Sequence, residues 1–193
     1  NRFALRWFTP AVEVDLCGHA TLAAAHTLIE QALVEAGQPI RFDTRSGELS
    51  CGQNAYGITL DFPATPPLGP VNEGVARQVC DALGIERALV FQSKFDLIAV
   101  VEYDQSVRQV NPDFNSMANI DAGGIMVTAK SDDPEIDFVS RFFAPRCGVN
   151  EDPVTGSAHC ALAPSWSEQL RKTALVGYQA SGRGGTVRCE LVS

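Results

Sequence analysis

The chain lacks any long apolar run. No stretch approaches the ~20 residues of a membrane span, so no membrane partner is expected. It is also short of positive charge. Lys and Arg number 15 against 23 Asp and Glu, a net charge of −8. That argues against nucleic acid as a partner, which calls for a basic face. It does not exclude an anionic ligand held by local N–H groups and a few Arg side chains. The six cysteines include no Cys-x-x-Cys pair, and there are only three His. No metal site is expected from that spacing, and free thiols in a reducing, cytoplasmic compartment are favoured over disulfides. No Gly-x-Ser-x-Gly elbow marks a hydrolase. Residues 182–185 lack the pattern of a phosphate-binding or dinucleotide turn. No signal peptide is visible, and no Met opens the chain. A strand-like run starts at residue 2 and another closes at 192, so both ends are expected to fall inside a fold, truncated at each end.

What is present is a substantial core. Hydrophobic residues make up 45% of the 193, enough for one large domain or two small ones. Two segments stand out. Asp15-Leu16-Cys17-Gly18-His19-Ala20-Thr21 and Asp152-Pro153-Val154-Thr155-Gly156-Ser157-Ala158-His159 each place an Asp, a glycine turn and a hydrogen-bonding side chain before an Ala-rich helical stretch. A helix start offers unpaired N–H groups and partial positive charge, and so can hold a small anion. The pair suggests one site built from two related halves.

The patterning predicts a strand over 3–8 and a helix over 19–36 ended by Gly37. A hairpin about Ser46-Gly47 joins strands over 40–45 and 48–51, and another strand covers 56–62. Residues 63–70, with four prolines, read as the linker between halves, giving a first lobe of 1–70 and a second of 71–193. The second lobe is expected to hold a helix over 73–83 and strands over 88–92 and 95–103. A short helix over 112–119, strands over 124–129 and 136–143, and a helix over 157–172 follow, with closing strands over 178–180 and 186–192. Pro164 should kink or restart the last helix. The order is not a regular βαβ alternation, so a mixed α+β duplication fits best.

Asp152 is the leading acid/base candidate, with a plain helix cap as the competing reading. Ser157 is either a ligand for a substrate oxygen or a cap. Gly156 lets an anion approach the backbone. His19, at the start of its helix, suits a neutral proton-transfer role. His26 reads as a packed core residue, and His159 carries little weight. Cys17 could be a nucleophile or base, but Thr155 stands where a second thiol would be needed, which favours packing. Arg183, in a glycine-rich turn, either faces the site or is solvated.

At these residues the chain resembles the phenazine biosynthesis PhzF-like family of isomerases. The resemblance rests on three blocks: Arg6 to Pro10 with Glu13 to Thr21, Asn150 to His159, and Gly177 to Gly185. It implies the diaminopimelate epimerase-like fold, two pseudo-symmetric lobes with mixed strands wrapped around a central helix and a cleft between them. It also implies cofactor-independent proton transfer on a small anionic or carboxylated substrate, and a possible homodimer. On this basis His19, Asp152 and Ser157 are expected to be catalytic. Gly18, Gly156, Thr155 and Arg183 are expected to bind substrate. The family's principal catalytic Glu lies upstream of the first block and has no counterpart in residues 1–193; Glu13 does not occupy its position. The alternative is a non-catalytic binding or regulatory protein on the same scaffold. The missing upstream strands are expected to leave apolar surface exposed over the first helix.

Overall fold

The computed structural model describes residues 1–9, 12–35, 37–54 and 57–192. Pro10, the expected helix end at residue 36 and the expected strand start at 56 lie outside them. Two compact units are present, Asn1–Pro63 and Ala64–Ser193. The division falls at the start of the proline-rich segment, not at its end, because Gly69 and Pro70 already pair with a strand of the second unit.

The first unit holds β1 (Arg2–Ala4), β2 (Trp7–Phe8), β3 (Glu13–Val14), α1 (Gly18–Glu30), β4 (Ile40–Thr44), β5 (Gly47–Asn54) and β6 (Gly57–Asp61). Four strands form a sheet in the order β1-β4-β5-β6, with β1 parallel to β4 and the rest antiparallel. The hairpin about Ser46-Gly47 is in place, with Thr44 opposite Gly47. The expected strand over 3–8 is two pieces, since β2 leaves the sheet to pair with β3. The core joins Trp7, Ala25, Ile40, Phe42, Leu49 and Cys51.

Helix α1 stops short of Gly37. Ala32 takes the left-handed conformation (φ 51°). Its N–H donates to Ile29 O and that of Leu33 to Leu28 O, both at 3.0 Å. This bond pair closes helices around a left-handed residue, usually glycine. An Ala is tolerated there at a cost of about 1 kcal/mol. His26 is corrected. It is not a core residue but is 60% exposed, with Nε2 3.3 Å from Glu30 one turn on. The helix is apolar on much of its circumference, so spacing alone does not say which flank is buried. Leu22 remains 40% exposed on it.

The second unit holds β7 (Gly69–Pro70), α2 (Glu73–Leu83), β8 (Leu89–Gln92), β9 (Leu97–Val100), α3 (Asp104–Arg108), α4 (Phe114–Ala118), β10 (Ile125–Lys130), β11 (Phe138–Ala144), β12 (Val149–Asp152), α5 (Gly156–Leu170), β13 (Ala174–Gln179) and β14 (Gly185–Glu190). Its sheet runs β14-β13-β11-β10-β9-β8-β7, and β12 also pairs with β11. Alternate residues of the central strands enter two different cores. Leu97, Ala99, Ile125, Val127, Val139 and Phe143 face one, shared with Val79 and Leu83 of α2, Val107 of α3 and Met117 of α4. Ile98, Met126, Phe138 and Phe142 face the other, shared with Ala158, Ala161, Leu162 and Trp166 of α5. Both faces are covered, which is why these strands read as continuous apolar runs.

Pro164 does not restart α5, which runs from Gly156 to Leu170 as one helix. Proline removes the donor that would reach the carbonyl four residues back. That carbonyl, Cys160 O, instead accepts from Thr65 N–H at 2.9 Å.

Candidate functional site

Each unit contains one of the two glycine turns, and the two helix starts are built alike. Cys17 and Thr155 are the cap residues of α1 and α5, both with extended backbone and neither donating or accepting a side-chain cap bond. A glycine follows in each, then His19 or Ser157. Four residues after each cap, a side chain bonds the cap carbonyl. Thr21 Oγ1 donates to Cys17 O at 2.7 Å, and His159 Nδ1 lies 2.8 Å from Thr155 O.

In the first unit Gly18 is buried and His19 exposed. The Cys17 thiol lies 3.6 Å from His19 Nε2. Asp15 is not the twin of Asp152 in its surroundings. Its carboxylate pairs with Arg45 at 3.5 Å, and its carbonyl accepts from Ser46 Oγ at 2.6 Å. Glu13 is also engaged. Arg6 bonds both of its oxygens at 2.9 Å and Arg45 approaches to 3.2 Å. The Arg6 hydrogen bonds hold its carboxyl below the ordinary glutamate range.

The second unit's turn is more tightly made. Strand β12 delivers Asp152 at its end, opposite Phe142 of β11. The neighbouring Glu151 is taken by Arg141, through bonds of 2.8 and 3.1 Å. Asp152 Oδ2 accepts from the Thr155 hydroxyl at 2.8 Å. Gln179, with 0% exposure, braces the same turn. Its Nε2 lies 2.6 Å from Asp152 O and 3.1 Å from Thr155 Oγ1, and its Oε1 accepts from Thr155 N–H at 2.8 Å. This explains why Thr155 caps nothing: its hydroxyl is spent between Asp152 and Gln179.

The glycine-rich turn packs onto this structure. Ser181 Oγ donates to Pro153 O at 2.7 Å and accepts from Gly184 N–H at 3.0 Å. A Cβ on Gly185 would stand 2.4 Å from Val154, so only glycine allows the approach. Arg183 lies exposed in this turn, with no ion pair among the described residues. Ser157 is half-buried on the second residue of α5.

His159 is fully enclosed, and burial pushes its imidazole below the ordinary histidine range. A carbonyl only accepts, so Nδ1 carries the proton toward Thr155 O. The unpartnered Nε2 faces Gly177, whose added Cβ would lie 3.1 Å away. This histidine shapes the helix start and is not presented to a ligand.

Thus the second turn brings Asp152, Thr155, Gly156 and Ser157 together in one unit, with Arg183 in the adjoining turn, while His19 and Gly18 lie in the other unit. Gln179 was missed as a functional residue. A signal existed: on alternating β13 it falls in phase with buried Leu175 and Gly177, a polar side chain at an apolar position. All six cysteines are free thiols. Among the described residues, no cluster of three or more His, Cys, Asp or Glu could hold a metal ion. Nor is any helix of those residues long and apolar enough to cross a membrane.

This α+β architecture is that of the phenazine biosynthesis PhzF proteins. The chain belongs to the phenazine biosynthesis-like (PhzC-PhzF) family, whose pattern it matches over residues 1–192. It is 48% identical over 190 residues to a protein from Halalkalibacterium halodurans named as an uncharacterized isomerase, covering 98% of this chain and 71% of that one. The crystal structure of a PhzF-family protein from Enterococcus faecalis superposes with a TM-score of 0.86 at 39% identity, over 98% of this chain and 71% of that one. A hydroxyproline epimerase from Agrobacterium vitis shares the fold at 13% identity, with a TM-score of 0.60 over 98% of this chain and 62% of its own.

Proposed function

We propose that this protein is a cofactor-independent isomerase that moves a proton on a small carboxylated molecule. The observation that carries the reading is the turn at residues 152–157. A carboxylate oriented by a buried hydrogen-bond brace stands beside a helix start whose amides and Ser157 hydroxyl suit an anion. Asp152 and His19 act as the acid/base groups, and Ser157 binds a substrate oxygen. Amides near Gly18 and Gly156, with Thr155 and Arg183 in support, favour developing negative charge. The relatives named as isomerases support the reaction class. Glu13, held by two arginines, is not assigned an acid/base role.

Incubation of the purified protein in deuterated water with a panel of carboxylated metabolites tests this. Ligands that bind should gain deuterium, read by mass spectrometry. Asp152→Asn and His19→Asn should each slow that gain by about 10²–10⁴-fold, the range of acid/base groups. Binding without any exchange by the unaltered protein would refute the isomerase and leave a binding protein in its place.

A further inference from the structure

We infer that Ser181 is a positioning residue whose hydroxyl ties the turn carrying Arg183 to the turn carrying Asp152, so that the two groups are set together. The inference rests on the roles proposed above for Asp152 and Arg183.

The bonds of Ser181 are assigned by donor and acceptor identities. Pro153 O only accepts, so the Ser181 hydroxyl 2.7 Å away donates its one proton there. Gly184 N–H only donates, so the same oxygen accepts from it at 3.0 Å. On the Asp152 side, two successive carbonyls are held from residues two apart. Asp152 O accepts from Gln179 Nε2 at 2.6 Å, and Pro153 O accepts from Ser181. The proline ring fixes φ between those two peptide groups. Holding both carbonyls then fixes ψ of Pro153, and with it the path from Asp152 to the cap residue Thr155.

On the Arg183 side, the base of the turn is seated without help from Ser181. Gly184 takes φ 70°, and a Cβ there would overlap the Tyr178 hydroxyl. The Arg108 guanidinium lies 5.5 Å over the Tyr178 ring and is paired with buried Asp104. Gly185 packs against Val154. Only exposed Gly182 and Arg183 lie between Ser181 and the seated Gly184. Loss of the Ser181 hydroxyl therefore loosens both turns locally and leaves their base in place.

Two variants separate this tie from an ordinary loop contact. Ser181→Ala removes both bonds, and Ser181→Thr keeps the hydroxyl. Amide hydrogen exchange, read by mass spectrometry, follows residues 150–157 and 181–185 side by side. Ser181→Ala should exchange about tenfold faster in both segments, and Ser181→Thr should restore both. Faster exchange confined to 181–185, no change in either segment, or a folded Ser181→Thr that recovers neither would overturn the inference. Should Ser181→Thr fail to fold, the Ser181→Ala result decides.

Turnover supplies a readout that a merely structural contact would not move. For deuterium gain by a bound carboxylated ligand, Ser181→Ala should lower kcat by about tenfold, the effect of a small misplacement of an acid/base group. Arg183→Gln should raise KM by about tenfold. Added to Ser181→Ala, however, Arg183→Gln should raise KM by less than about threefold, because the guanidinium is already displaced. Strictly additive effects, or an unchanged KM in Arg183→Gln, would overturn the inference and leave the isomerase in place. If the unaltered protein exchanges no proton on any ligand it binds, the proposed function falls and the positioning role with it.

Discussion

Asp96 offers a direct test of the energetics of the second unit. It sits where the loop after β8 enters β9, held by Ser93 N–H donating to Asp96 O at 2.8 Å and Asp96 N–H donating to Ser93 Oγ at 3.2 Å. Its carboxyl accepts from Gly124 N–H, and among the described residues it has no ion-pair partner. Arg146, the nearby cation, is engaged with Asp121 at 2.6 Å. Burial therefore dominates and pushes the Asp96 carboxyl up to about 6 from an ordinary 3.8. The folded state binds this proton more tightly than the unfolded one. The associated stability is complete below the unfolded value of 3.8 and is lost as pH rises toward about 6. A gap of about two pH units corresponds to roughly 3 kcal/mol. Asp96→Asn keeps the acceptor for Gly124 N–H and removes the charge, although its amide donors need partners too. It should stabilise the protein by about 2 kcal/mol at pH 7.5, raising Tm by roughly 4–8 °C for a chain of this size. At pH 4 the difference should shrink to within about 0.5 kcal/mol, since the native carboxyl is then already neutral. Thermal and urea denaturation of both proteins at the two pH values measure this. An equal difference at both, or a loss of stability at pH 7.5, would refute the burial argument.

Two further substitutions probe the packing around the turn. A Cβ at Gly177 would stand 2.5 Å from Phe138 Cζ, and that ring is fully buried and stacked 5.9 Å from Trp166; Gly177→Ala should cost about 1–3 kcal/mol in urea denaturation. Arg141 is only 12% exposed in its pair with Glu151, so Glu151→Gln should cost about 2 kcal/mol by the same measurement, less than a fully enclosed pair would.

Legibility in the sequence followed the locality of the cause. Helix α2 was readable because Asn72 accepts from Val75 N–H at its start and Gly84 takes φ 68° at its end, both short-range devices. The hairpin at residues 46–47 and the two glycine turns were readable for the same reason. Strand β12 was not, since Val149-Asn150-Glu151-Asp152 is mostly polar and is held by register with β11. The continuation of α5 as one helix was not readable either, because the partner that relieves Cys160 O is Thr65, far away in the chain. The end of α1 failed differently: any non-glycine residue in the left-handed region is disfavoured, so Ala32 gives no signal. For the site, residue types gave the candidates, but the division between Glu151, locked to Arg141, and Asp152, braced by Thr155 and Gln179, depends on contacts across the sheet.

The two helix starts show how one backbone device can carry two chemistries. Cap residue, glycine and the side-chain bond to the cap carbonyl recur at 17, 18 and 21 and at 155, 156 and 159. The side chains differ where chemistry would need them to. Cys17 brings a thiol toward an imidazole, whereas Thr155 brings a hydroxyl to a carboxylate. A thiol is a weak donor and a weak acceptor, so it cannot relay a fixed orientation as a hydroxyl does. The first start leaves His19 exposed beside a thiol, while the second ties Asp152 to Thr155 and Gln179. The two starts thus share one backbone arrangement and differ in the side chain offered to the neighbouring acid/base candidate, a thiol beside His19 and a hydroxyl bonded to Asp152.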